Sequence, residues 1–206
     1  MEQALRVGKY ESPEVRATPL FLDSTDRVIE LGSGIGYISA YIAKAIGVEA
    51  VTCVEANPAL ISYAQKVHRL NGLANCEVLN AVTVSDAADM PASGTLPFYV
   101  ADPFWSSSLI RVRNAVDQVD IPVLRLSDLI RQKAATALVV DIEGGERDIF
   151  EKTDLGSVTK VFFELHKRII RPSGVKKTFD DLSAQNFNYD QSVSSGGMLL
   201  FRKVTG

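Results

Sequence analysis

The stretch that most constrains this chain is "RVIELGSGIGYISAYIAKAIG", residues 27–47. A short apolar run ends in an acid, Glu30, and passes at once into a turn with glycines at 32, 34 and 36. Residues 27–31, bounded by Asp26 and Gly32, predict a strand. Residues 37–46 are rich in Ala and Ile without a breaker and predict a helix, with Gly47 at its C-cap. Strand, glycine turn and helix in direct succession open an α/β sheet, and the turn lets a small ligand approach the backbone closely.

The rest of the chain continues the alternation. "AVTCVEA" (residues 50–56) is almost wholly apolar, as expected of a parallel strand buried on both faces. Asn57-Pro58 supplies a helix N-cap and a proline at the first helical position, and Asn71-Gly72 ends the run. "CEVLNAVTV" (76–84) predicts a third strand. Residues 85–94 are turn-like, "PFYV" (97–100) and "PVLRL" (122–126) predict short strands, and a helix starts at Ser127. "TALVVDIEGGERDIF" (136–150) predicts a strand, a Gly-Gly turn and a helix. "KVFFELH" (160–166) is the next strand, and "FNYDQSVSSGGMLLFRK" has two β-prone runs that predict a hairpin. One α/β domain spanning residues 1–206, mostly parallel with an antiparallel edge, is the expected architecture.

The glycine spacing selects among ligands. A P-loop needs a Lys-Ser/Thr pair at its end, and none is present. A dinucleotide loop needs G-x-G-x-x-G, but Tyr37 stands at the third position. Glu30 just before the loop repels pyrophosphate and suits a ligand with cationic groups. S-adenosylmethionine fits: it carries a sulfonium, an ammonium and a carboxylate, and no phosphate. Its carboxylate would rest near the amides that open the helix. Glu55 closes the second strand roughly twenty residues on, where ribose-binding acids stand. Asn80-Ala81 follows the third strand and is placed to meet an adenine edge.

With these residues, the chain resembles the class I S-adenosylmethionine-dependent methyltransferases, and within them the FkbM family. The resemblance is carried by "VIELGSGIGYIS", "CVEANP", "LNAV" and above all "VVDIEGGERDIF" followed by "FFELH". It runs from "GKYE" (residues 8–11) nearly to the terminal hairpin. It implies a Rossmann-like fold whose seven-stranded sheet has an antiparallel last strand. Gly32, Gly34, Gly36, Glu55, Asn80 and Ala81 would form the cofactor pocket. The implied reaction is methyl transfer to a hydroxyl oxygen of a small molecule or sugar. Residues 1–26 would be a lead-in or cap, and residues 96–126 a substrate-side insertion.

An alcohol is a poor nucleophile, so a nearby proton acceptor is expected at the carboxyl ends of the central strands. Asp141 ends one such strand, and Glu143 lies two residues on, on the same face if the strand continues. His166 ends the next strand and is expected to accept the proton because histidine titrates near neutrality. Glu146 opens the predicted helix and is assigned, with Phe104 and Trp105, to acceptor binding. A divalent cation on Asp141, Glu143 and His166 is an alternative, but the spacing matches no established metal motif and no metal is assigned. His68, within a helix, is read as structural or exposed.

Rival readings remain. "ADPFW" (101–105) resembles the Asp-Pro-Pro-aromatic loop of amino-group methyltransferases, although Phe104 replaces the second proline. Counting it as the fourth strand leaves one strand too many. A catalytically silent protein of the same fold is another alternative. A nicotinamide oxidoreductase is disfavoured by Tyr37. The net charge of −3 argues against a bulk nucleic-acid partner, though "HKRIIRPSGVKK" (166–177) offers a local basic patch. The two cysteines, Cys53 and Cys76, read as buried thiols. Without a membrane-length apolar run, a cytoplasmic protein is expected.

Overall fold

The computed structural model describes residues 12–101 and 115–204. Its main sheet has seven strands: β1 (Arg27–Leu31), β2 (Ala50–Glu55), β3 (Cys76–Asn80), β7 (Ala137–Val140), β8 (Lys160–Glu164), β9 (Phe187–Tyr189) and β10 (Met198–Lys203). They run in the order β3-β2-β1-β7-β8-β10-β9. The first five are parallel, while β10 is antiparallel to both β8 and β9. This is the mostly parallel α/β sheet with an antiparallel C-terminal hairpin that the residue pattern predicts, with the seven strands that the family resemblance implies.

Burial on both faces explains the near-continuous apolar strands. One face of β1, β7 and β8 presents Ile29, Leu31, Leu138, Val140, Val161 and Phe163. It is covered by α4 (Leu126–Lys133) and by Leu182 of α5 (Lys167–Ser183). The other face presents Val28, Ala137, Val139 and Phe162 to Ala17 of α1 (Ser12–Ala17) and to α2. Helix α2 begins as Tyr37–Tyr41 and finishes as a π-helical turn, Ile42–Ile46. Helix α3 (Pro58–Leu70) starts as anticipated, with Asn57 Oδ1 accepting the Ala59 amide at 3.1 Å. Among the described residues, no helix is long and apolar enough to cross a membrane.

Four local expectations change. The predicted 76–84 strand is divided at Ala81: pairing with β2 runs to Asn80, and Ala81 N still donates to Glu55 O at 3.2 Å before the chain leaves the main sheet. The remainder, β4 (Val82–Val84), joins a second, three-stranded sheet. There β5 (Thr95–Ala101) and β6 (Ala115–Arg125) form an antiparallel ribbon, longer than the two short strands expected. This ribbon stays outside the main sheet, so the strand count of seven holds. The helix expected after Gly144-Gly145 is only a 3-10 turn, Gly145–Arg147. Conversely, the 166–177 basic stretch lies largely in α5, which breaks its helical backbone at Arg171 (φ 63°) and resumes at Pro172. In that helix Lys177 pairs with Glu151 and Asp181, and Lys176 pairs with Asp180, so part of the basic patch is neutralised internally.

Glycine is required where α2 meets α3. Gly36 has φ +76°, and a Cβ there would lie 2.9 Å from His68 Nε2 and 3.0 Å from Ala64 Cβ. His68 is structural: it is buried, and its Nε2 pairs with Ser39 Oγ at 2.9 Å. Gly36→Ala is therefore expected to cost about 2–4 kcal/mol, from left-handed backbone strain plus overpacking. A lowered urea midpoint at constant m-value checks this.

Candidate active site

The first strand–helix turn sits at the carboxyl edge of the sheet, and its geometry is set by a close approach. Gly32 has φ +81°, and a Cβ there would fall 1.7 Å from the carbonyl oxygen of Asp141. The backbone that leaves β7 thus occupies the space of a side chain at position 32. Gly34, also at positive φ, has nothing within 4 Å of such a Cβ, so the loop has an open side.

Glu55 holds the loop from the β2 side. Its Oε2 accepts the Gly34 amide at 2.8 Å, and its Oε1 accepts the Asn57 amide at 2.6 Å. Burial raises its pKa, and these amides pull in the opposite direction. Asn80 braces the same point, its Nδ2 donating to Glu55 O at 2.9 Å and to Ala56 O at 3.0 Å. The expected cofactor residues Gly32, Gly34, Gly36, Glu55, Asn80 and Ala81 thus lie along one edge, and Glu30 is buried at the end of β1.

A carboxylate–imidazole cluster lies beside the loop, at the ends of β7 and β8. His166 Nε2 is 3.3 Å from Glu143 Oε2, 3.6 Å from Asp141 Oδ1 and 3.8 Å from Glu164 Oε2. The structure brings Asp141, Glu143 and His166 together, but not by the route expected. β7 stops at Val140, and Glu143 reaches the histidine from a turn with φ 50° rather than from a continuing strand. Ligand atoms of these three residues lie within 4.8 Å of one another, a spacing that a divalent cation fits.

Glu146, expected at the acceptor, is instead placed inside the fold. It is fully buried, its Oε2 accepts the Gly144 amide at 2.7 Å, and its Oε1 accepts the His166 amide at 2.7 Å. The same Oε1 lies 3.2 Å from His166 Nδ1. It positions the imidazole with Nε2 toward the other carboxylates. Burial alone would raise Glu146, but the bonds with His166 and the backbone amides hold it below its ordinary value. Phe104 and Trp105, like the "GKYE" segment, lie outside the described residues.

The electrostatics of the cluster bear on which group accepts a proton. Burial pulls the His166 pKa down, but Glu146 above all, then Glu143 and Asp141, carry it up to about 9. His166 therefore holds its proton at neutral pH and is not the ready acceptor that a near-neutral imidazole would be. Asp141 is pushed up to about 7, first by burial and then by Glu164, with Glu143 and Glu14 adding to it. Glu14 and Glu164 were not anticipated as site residues. Glu14 lies on α1, where only its place one helical turn before the apolar Ala17 signals burial.

Both shifts predict how the apo protein responds to pH. Between 3.8 and about 7 the folded state keeps a proton on Asp141 that the unfolded chain has released, so stability falls as pH rises through that window. His166 stabilises fully below 6.5, and that contribution is lost as pH rises through about 9. Asp141→Asn is expected to flatten the lower window and leave the upper one, which Glu146 dominates. Urea denaturation across both windows checks it, and an unchanged lower slope would refute the assignment.

Comparison with known proteins bears on family and fold. The family model described as the methyltransferase FkbM domain matches residues 30–187. No curated protein sequence matches the chain. Among solved structures, it is similar to a ribosomal protein L11 methylase from Lactobacillus delbrueckii subsp. bulgaricus, at 13% identity and TM-score 0.54, covering 94% of this chain and 79% of that one. A precorrin-6y C5,15-methyltransferase from Geobacter metallireducens gives 8% identity and TM-score 0.54, over 94% and 88%. TrmK of M. capricolum, solved with S-adenosyl-homocysteine, gives 8% identity and TM-score 0.51, over 92% and 67%. At such identities the likeness is one of fold.

Proposed function

The chain belongs to the FkbM methyltransferase family, and from that premise we propose that it transfers the methyl group of S-adenosylmethionine to a hydroxyl oxygen of a small molecule or sugar. What carries the hydroxyl assignment is the cluster of Asp141, Glu143 and His166 at the mouth of the glycine loop. An alcohol needs its proton taken as the carbon–oxygen bond forms, and an amine with a free lone pair needs this less.

The residues present fit the cofactor. Gly34 leaves the loop open, Glu55 stands where two ribose hydroxyls can add to the amides it already accepts, and Asn80-Ala81 flank the adenine side. When bound, S-adenosylmethionine supplies an electrophilic methyl on a sulfonium sulfur. The protein's part is to hold the acceptor oxygen in line with the sulfur–carbon bond and to take its proton. Asp141 is the acceptor of that proton, because burial and neighbouring carboxylates bring its pKa close to working pH. His166, fixed by Glu146, keeps a positive charge beside it. The β5–β6 ribbon, packed through Phe98 and Ile121 against Val82 of β4 and Ala56, forms the acceptor side of the site in this reading.

Two of the similar structures are a ribosomal-protein methylase and TrmK. A polyanionic acceptor suits this chain poorly, because carboxylates crowd its site and its net charge is −3. The free thiols Cys53 and Cys76 fit a reducing compartment such as the cytoplasm.

Incubation with radiolabelled cofactor and a panel of hydroxyl acceptors tests the reading, and a product methylated on nitrogen would overturn it. With an acceptor in hand, kcat/KM is expected to rise with pH as Asp141 loses its proton near 7. Asp141→Asn should lower kcat roughly 10²- to 10⁴-fold. Glu146→Gln should also lower kcat and should move any alkaline limb to lower pH, because His166 loses the partner that raises it. The cation alternative is separated by chelation: the proton-acceptor mechanism survives EDTA, whereas a metal-dependent one is lost and returns with Mg²⁺ or Mn²⁺.

A further inference from the structure

Strand alternation decides which face each acid at the carboxyl edge enters. In β1, Ile29 and Leu31 point to the α4 side, so Glu30 points to the other. In β7, Val139 lies on that other side, and Asp141 follows it two residues on. In β8, Phe162 lies there, and Glu164 follows in the same way. Helix α1 packs on this face through Ala17. Glu14, three residues earlier, lies on the same side of the helix as Ala17. The outcome is one small pocket beside Gly32, lined by Glu14, Glu30, Asp141 and Glu164 with apolar walls from Ile38 and Phe162.

Glu14 is the telling member. It is 8% exposed, and its Oε2 has no hydrogen-bond partner among the described residues. Burying a carboxylate oxygen without a partner is costly, and Glu164 nearby carries the same charge. No Lys or Arg is among the described residues lining the pocket. His166 offsets Asp141 and Glu164 at 3.6 and 3.8 Å, so it is Glu14 Oε2 that calls for a positive group from outside the chain. A metal ion is a poor candidate, since no set of three ligating side chains that includes Glu14, Glu30 or Glu164 meets a metal-like spacing among the described residues. Carboxylates beside a partly apolar wall suit the head of an organic ammonium group.

We propose that Glu14 is a cofactor-binding residue: with Glu30 it receives the ammonium group at the amino-acid end of S-adenosylmethionine, making α1 part of the cofactor site. This rests on the methyl-transfer reading above. The layout along the edge agrees with it. Glu55 marks the ribose on the β2 side of the loop, and the acid pocket lies on the β7 and β8 side. A ligand crossing the loop from Glu55 brings its amino-acid end to Glu14.

The test compares two ligands by calorimetric titration. S-adenosylhomocysteine carries the ammonium; 5′-methylthioadenosine has the same nucleoside and thioether without the amino-acid end. The wild-type protein should bind both. Glu14→Gln should weaken S-adenosylhomocysteine roughly 10- to 50-fold, the usual size of a lost charge-assisted hydrogen bond, and leave methylthioadenosine within about twofold. The Tm of the apo variant should hold or rise, because an unpaired buried carboxylate is gone. Equal losses for both ligands, or no loss for either, would overturn the assignment and leave methyl transfer standing. Should Glu14→Gln fail to fold, Glu14→Asp gives the same contrast: a selective loss for S-adenosylhomocysteine supports the inference and an unchanged ratio overturns it. A wild-type protein that binds neither ligand overturns the methyl-transfer reading and this assignment together.

Discussion

The site depends on one backbone contact, the carbonyl of Asp141 seated where Gly32 has no side chain. It brings the exit of β7 against the exit of β1, two strands already paired in parallel from Val28 to Leu31. The loop that would cradle the cofactor and the acid that would accept a proton thus share one wall. Any side chain at position 32 would separate them, and the left-handed backbone there already disfavours one.

Polar forces hold the sheet at both ends and apolar packing holds its middle. At the amino edge, Asp26 is buried and accepts hydrogen bonds from Thr136 Oγ1 at 2.8 Å and Lys160 Nζ at 2.6 Å, joining the starts of β1, β7 and β8. There each charge has its partner. At the carboxyl edge the acids outnumber their partners, with His166 the basic group among Asp141, Glu143, Glu146 and Glu164. One end is satisfied as folded, and the other is left in tension that a cationic ligand relieves.

Much of this was legible in short patterns. "RVIEL", the alternating glycines, "AVTCVE" and the Asn-Pro cap each specify local structure by residue type, and all appear where expected. The failures have physical causes. Residues 76–84 read as one strand because the apolar pattern runs through Ala81, while the change of partner from β2 to β6 is set by residues far off in sequence. Helix α5 was hidden by "RPSG", which reads as breakers, yet Pro172 restarts a helix after the left-handed Arg171. Glu146 was legible as an acid in the right motif but not as a buried one, since burial is set by Thr178 and His166 from other elements. Glu14 carried no chemical signal, because its meaning comes from three strands that follow it.

The β4–β6–β5 sheet has a different standing from the rest. Its own core is the small cluster of Val82, Phe98 and Ile121, whereas the main sheet is buried on both faces. Elements with so little apolar anchorage open at lower free energy than the body they attach to. The ribbon's amides are therefore expected to exchange with solvent faster than those of β1 and β7. On the proposed reading, in which the ribbon is the acceptor side, a change of acceptor would be a matter of rewriting one ribbon while the glycine loop stays as it is.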